Sequence, residues 1–193
     1  KIEQTTSAND RKDMKVIGNS LPRYNYNFGI SADWYGIDFS VLFQGIGKQN
    51  WYPGAETSMF WGPYSRPYAS FIPSDFMSQV WSEENTNAYF PRPRGYVALG
   101  SNRELAVVNT KYLQNLAYCR LKNLSIGYTL PDKWLSKIGF EKIRVYFSGE
   151  NLLTFTKLHS DYIDPEQASA SNKSDANIYP WAKTYSFGVD ITF

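Results

Sequence analysis

Cysteine and histidine are almost missing. Cys119 and His159 are the single copies of each among 193 residues. The chain therefore has no disulfide framework, no thiolate metal site and no multi-histidine zinc centre. Charge of one sign is lacking too: 20 Lys and Arg stand against 18 Asp and Glu, a net charge of +2. That excludes the clustered basic field of a nucleic-acid binder. No window approaches the roughly 18 uninterrupted apolar residues of a membrane helix, so a helical membrane protein is excluded. A transmembrane barrel is not excluded, because its strands need only alternate residues apolar. The first residue is Lys1, not Met, and no signal-type segment follows it. The expectation is a processed product or an internal piece.

Aromatic residues are what the chain has in quantity: 15 Tyr, 12 Phe and 6 Trp, 17% of the sequence. Such richness suits β-structure, sugar-binding surfaces and the interfacial girdles of membrane barrels. Five stretches alternate with period two, the pattern of strands, near 24–32, 37–44, 121–130, 142–155 and 184–193. In the first, Tyr24, Tyr26, Phe28 and Ile30 interleave with Asn25, Asn27 and Gly29. In the second, Ile37, Phe39, Val41 and Phe43 alternate with polar residues, with Leu42 as the exception. In the last, Tyr185, Phe187, Val189, Ile191 and Phe193 alternate strictly with Thr184, Ser186, Gly188, Asp190 and Thr192.

The connections are lopsided. Asp33 to Gly36 is a minimal turn and Pro131 to Glu141 a short link with one helical turn around Asp132–Leu135, whereas 45–117 and 157–183 are long loops. In an antiparallel meander this places the short turns at one end and the long loops at the other, the shape of an outer-membrane barrel. The first long loop is strewn with aromatics, and Ser74-Asp75-Phe76-Met77 reads as an N-cap opening a short helix over Asp75–Glu84. Trp34, Tyr35, Tyr128 and Tyr146 lie near strand ends, as interfacial girdle residues do.

Signals of catalysis are weak. Gly45-Ile46-Gly47-Lys48 lacks the first glycine and the Ser/Thr of a phosphate loop. The carboxylates at Asp161, Asp164 and Glu166 offer oxygen ligands without EF-hand spacing, so a loop calcium site is a minor reading and no cofactor is expected. The chain reads as no enzyme.

In family order along nearly the whole chain stand Ile17-Gly18-Asn19-Ser20-Leu21-Pro22-Arg23-Tyr24, Phe43-Gln44-Gly45-Ile46-Gly47-Lys48 and Tyr89-Phe90-Pro91-Arg92. Then come Arg120-Leu121-Lys122-Asn123-Leu124-Ser125-Ile126-Gly127-Tyr128-Thr129-Leu130-Pro131 and Ser148-Gly149-Glu150-Asn151-Leu152-Leu153-Thr154-Phe155. Asp164-Pro165-Glu166, Tyr179-Pro180 and the final strand from Tyr185 to Phe193 complete the series. With these pieces the chain resembles the C-terminal part of a SusC/RagA-type TonB-linked outer-membrane transporter. The resemblance thins over the first dozen residues and over 51–87.

The resemblance implies an all-β fold: an antiparallel transmembrane β-barrel segment, the last five or so strands of a barrel of about 22. It implies that the plug lies outside this chain and that the 45–117 and 157–183 loops are extracellular. It further implies import of glycan or peptide cargo across the cell outer membrane, under a SusD-like surface lipoprotein and driven by the TonB complex through the plug. Further expected partners are the rest of the barrel and outer-membrane lipid, with the C-terminus periplasmic. Tyr185, Phe187, Val189, Ile191 and Phe193 match the barrel-assembly signal. The loop aromatics Trp51, Trp61, Tyr64, Tyr68, Phe71 and Trp81 are candidates for contact with lid or substrate, set beside plain packing of the loop on itself. The alternative is a soluble β-sandwich module that holds carbohydrate with its aromatic loop.

Overall fold

The computed structural model describes residues 12, 14–65, 72–100, 103–136, 139–170 and 179–193. Seven strands follow in chain order: β1 (Asn25–Trp34), β2 (Ile37–Ile46), β3 (Asn50–Trp51), β4 (Gln114–Asn115), β5 (Tyr118–Thr129), β6 (Lys142–Thr156) and β7 (Thr184–Thr192). Five of them form one sheet in the order β1-β2-β5-β6-β7, and every neighbouring pair is antiparallel. β3 and β4 make a separate two-stranded ribbon within the first long loop.

The alternation in the sequence becomes two faces because register aligns it across strands. Phe28 lies opposite Phe43, Val41 opposite Leu124, Ile126 opposite Phe147, and Phe147 opposite Phe187. One face is thereby apolar from edge to edge. The other carries Asn27 beside Gln44, Ser40 beside Ser125, Ser125 beside Ser148, and Ser148 beside Ser186. Tyr146 belongs to this polar face, lying across Gly188 where a Cβ would collide with its ring. Its expected girdle role therefore fails, whereas Trp34 and Tyr128 do lie on the apolar face. Most of the apolar face is exposed, including Phe28, Ile30, Trp34, Val145, Phe187 and Val189. Among the described residues no second layer covers it.

β1 and β2 are joined by Tyr35 and Gly36, both at positive φ (46° and 81°). This is the two-residue turn whose twist matches a hairpin. At the same end, β5 and β6 are linked through the short helix α1 (Asp132–Leu135). The long loops leave from the opposite end. There Phe60, Trp61, Tyr64, Phe76, Phe90, Tyr112, Leu116, Leu158 and Ile163 bury one another, so both long loops share a core of their own. The helix expected over Asp75–Glu84 is a single 3₁₀ turn, Phe76–Gln79, with no side-chain cap. Val80 instead turns extended and bridges to Phe90, and Ser82 and Asn85 close a turn on each other. These short polar side chains bond locally and compete with helix formation.

Candidate functional site

The polar face holds two charged clusters. At the long-loop end Arg120 of β5 is only 2% exposed. Its Nη2 donates to Asp164 Oδ2 at 2.6 Å, its Nη1 to Glu166 Oε2 at 2.8 Å, and its Nε to Thr154 Oγ1 at 2.9 Å. Lys122, two residues on and on the same strand, donates to both Glu166 oxygens at 2.9 Å. The acceptors come from the second loop. Asp164 accepts the backbone N–H groups of Glu166 and Gln167 at the start of the helical turn Pro165–Ala170. Proline suits that first helical position because it has no N–H to leave unpaired. The cluster thus fastens the 158–170 segment to the sheet, satisfying charges that would be costly to bury alone. Asp164 and Glu166, which raised the calcium reading, are engaged with Arg120 and Lys122. Among the described residues no group of three or more His, Cys, Asp or Glu is placed to hold a metal.

At the short-turn end Arg144 of β6 donates from Nη2 and Nε to Asp38 of β2 (2.6 and 2.8 Å) and from Nη1 to Asp190 of β7 (3.2 Å). β5 runs between Arg144 and Asp38. Gly127 is the residue beneath, and a side chain there would run into both partners.

The loop core is tied by hydrogen bonds as well as by apolar contact. Trp61 Nε1 donates to the carbonyls of Pro53 and Gly54, and the Tyr64 hydroxyl to that of Pro91. Burial pushes the Tyr64 and Tyr52 phenols well above their ordinary range and that of Tyr112 up to about 12. His159 stacks on Tyr89 with ring centres 3.8 Å apart, and its Nε2 lies 2.7 Å from Gln79 Oε1. Burial holds its imidazole below the ordinary histidine value.

Trp61 and Tyr64 are both 0% exposed. They pack the core and present no surface to lid or substrate, which corrects their candidacy. Trp51 is half-buried in β3 against that core. Trp81 is half-buried and lines a groove of about 490 Å³ with Glu83, Glu84 and Arg92. Tyr68 and Phe71 lie outside the described residues. Tyr185, Phe187, Val189 and Ile191 are exposed on the apolar face, and Phe193 beyond them stands with its ring 5.1 Å from that of Phe140. Sequence reasoning missed Arg120 and Lys122. The signal was there: two cations inside an alternating strand, and an Asp-Pro-Glu in a loop with no other use for it.

No family model matches the chain. It is 32% identical over 192 residues to TonB-dependent receptor P3 of Formosa agariphila, covering 94% of this chain and 17% of that protein. TonB-dependent receptor P26 of the same organism is 27% identical, covering 94% and 18%. The TonB-dependent receptor SusC of Bacteroides thetaiotaomicron is 28% identical over 111 residues, 56% of this chain and 10% of that one. The chain thus spans about a sixth of the length of the first two relatives. Among solved structures, the RagAB peptide importer in its closed-closed state superposes with a TM-score of 0.65 at 23% identity, over 99% of this chain and 19% of that one. Its open-open state gives 0.62.

Proposed function

We propose that the chain, which is similar to TonB-dependent receptors along 94% of its length and folds like part of the RagAB peptide importer, forms part of an outer-membrane importer. In this reading the five-stranded sheet is barrel wall. Its apolar face meets lipid and its polar face meets the lumen and plug. The two long loops are extracellular, the short turns and the end of β7 periplasmic, and the cargo is a glycan or peptide. A SusD-like lipoprotein covers the loops, and the TonB complex supplies energy through the plug. Passage through a gated barrel needs no catalytic group and no cofactor. Trp51 and Trp81 keep enough surface to touch lid or cargo. The apolar positions Tyr185, Phe187, Val189, Ile191 and Phe193 serve as the assembly signal.

One observation carries this reading: a continuous, uncovered apolar sheet face backed by a polar face with a buried ion cluster. Soluble proteins rarely expose apolar patches beyond a few hundred Å², and a β-sandwich would lay a second sheet over this one. Lipid is a fitting cover. The test is to inactivate the TonB complex in the native host and measure growth on the nutrient that induces the transporter. Loss of growth, with the protein in the outer-membrane fraction, is the expected result. Recovery of the protein in the soluble fraction sinks the proposal.

A further inference from the structure

At the long-loop end two sequence pieces with no task so far, Leu21-Pro22-Arg23-Tyr24 and Gly45-Ile46-Gly47-Lys48, lie side by side. They carry the β1–β2 hairpin past the end of its strands. The Arg23 N–H donates to the Lys48 carbonyl and the Gly47 N–H to the Tyr24 carbonyl, both at 2.8 Å. The two glycines make room for tyrosines on the apolar face. A Cβ on Gly45 would come within 2.6 Å of the Tyr26 ring, and one on Gly47 within 3.2 Å of the Tyr24 ring. The Tyr26 hydroxyl donates to the Tyr118 carbonyl. Further in, Phe28 stacks on Phe43 with ring centres 4.9 Å apart, and Ile30 beyond it is exposed. The face thus runs from hydroxyl-bearing rings at its rim to bare hydrocarbon within. A bilayer passes from headgroups to acyl chains in the same order, and interfacial aromatics mark the boundary.

Two cations stand at that rim. Arg23 and Lys48 are both exposed, and among the described residues neither forms an ion pair. Arg120, Lys122 and Arg144 on the polar face are all paired. The Arg23 guanidinium lies 5.4 Å from the centre of the Tyr24 ring, which holds its charge beside the apolar face. No Asp or Glu occurs over 14–32 or 39–55, so these stretches bring no anion of their own. Arginine's planar fork matches two phosphate oxygens, and lysine adds a compact charge. Clustered cations next to a membrane-facing surface suit anionic headgroups. A free phosphate would engage the cations and leave Tyr24, Phe28 and Ile30 uncovered. A lipid satisfies both.

Resting on the importer reading, which puts this end outermost, we propose that Arg23, Tyr24 and Lys48 form a site for the headgroup of a phosphate-bearing lipid of the outer leaflet. Its acyl chains descend over Tyr26 and Phe28. The test uses the intact transporter in detergent, titrated with phosphorylated lipid A and with the same lipid A stripped of phosphate. Bound lipid is counted by native mass spectrometry. The phosphorylated form is expected to bind at least about tenfold tighter, the scale of one charge-assisted hydrogen bond. The double variant Arg23→Gln, Lys48→Gln should abolish that preference. Lys133→Gln, which removes an exposed cation from the short helix at the opposite end, should leave it intact. All three positions lie on the surface, and equal outer-membrane levels of the variants confirm folding. A preference that survives the double substitution overturns the site, as does equal or undetectable binding of the two lipid forms. Full displacement of the lipid by inorganic phosphate at equal concentration overturns the lipid in favour of a free anion. Failure of the importer reading shows separately, as uptake independent of TonB.

Discussion

The sheet and the loop core use the same residue types in opposite ways. In the sheet Phe187 is 82% exposed and Trp34 is 69% exposed, whereas in the loops Phe60 and Trp61 are 1% and 0% exposed. The loops make an interior from their own aromatics. Among the described residues nothing covers the apolar face of the sheet in the same way, and most of its large side chains are exposed. Identical chemistry thus does different work according to what covers it, and substitutions that exchange the two environments test that difference.

The largest effect is expected inside the loop core. Trp61→Ala removes a fully buried indole and two hydrogen bonds and should destabilise the loop core by about 3–5 kcal/mol. Hydrogen exchange should then rise across 58–64 and 158–163 while the β5–β6 pairing stays protected. Loss of protection in the strands as well would erase the distinction between the two regions. Next comes Arg120→Met, which leaves Asp164 and Glu166 without their buried partner and should cost about 3–5 kcal/mol. Limited proteolysis within 157–170 is the readout, and unchanged cleavage counts against the cluster as a fastener.

Phe187→Arg places a charge on the apolar face and should cost about 2–4 kcal/mol if that face meets the bilayer midplane. Ser186→Arg, one residue away on the polar face, should leave assembly nearly unchanged. Comparing outer-membrane levels of the two variants reads the sidedness directly, and equal losses would contradict it. The smallest effect is that of pH. The folded-state value of His159 lies below its unfolded one, so the unfolded chain binds the extra proton more readily and stability rises with pH. Loop-core stability should be complete above about pH 6.5 and decline as acid takes the solution down through the folded value. His159→Gln should flatten that dependence in a protease-sensitivity profile.

How much was legible follows the same division. Alternation located the five long strands because a strand reports its faces at a period of two, residue by residue. Tyr185 to Ile191 needed no distant partner to be read. The loop core gave no such periodic report. Trp61 and Tyr64 looked like contact residues, because nothing near them in sequence says that Leu158 and Ile163, about a hundred residues on, close over the core they share. The Asp75–Glu84 helix was overridden in the same way, by the pairing of Val80 with Phe90. Arg120 shows the remaining limit: its charge was visible, but its partners lie 44 and 46 residues away.

The absent side chain at Gly127 has a mechanical consequence. Because nothing stands there, the Arg144 guanidinium passes over β5 and grips Asp38, joining two strands that share no backbone hydrogen bond. The result is a cross-brace spanning three strands. A one-residue slip of β5 would bring Ile126 or Tyr128 under the brace in place of glycine and force the grip open. Sliding of β5 past its neighbours is thus opposed at this end of the sheet by an ion pair formed between the two strands on either side of it.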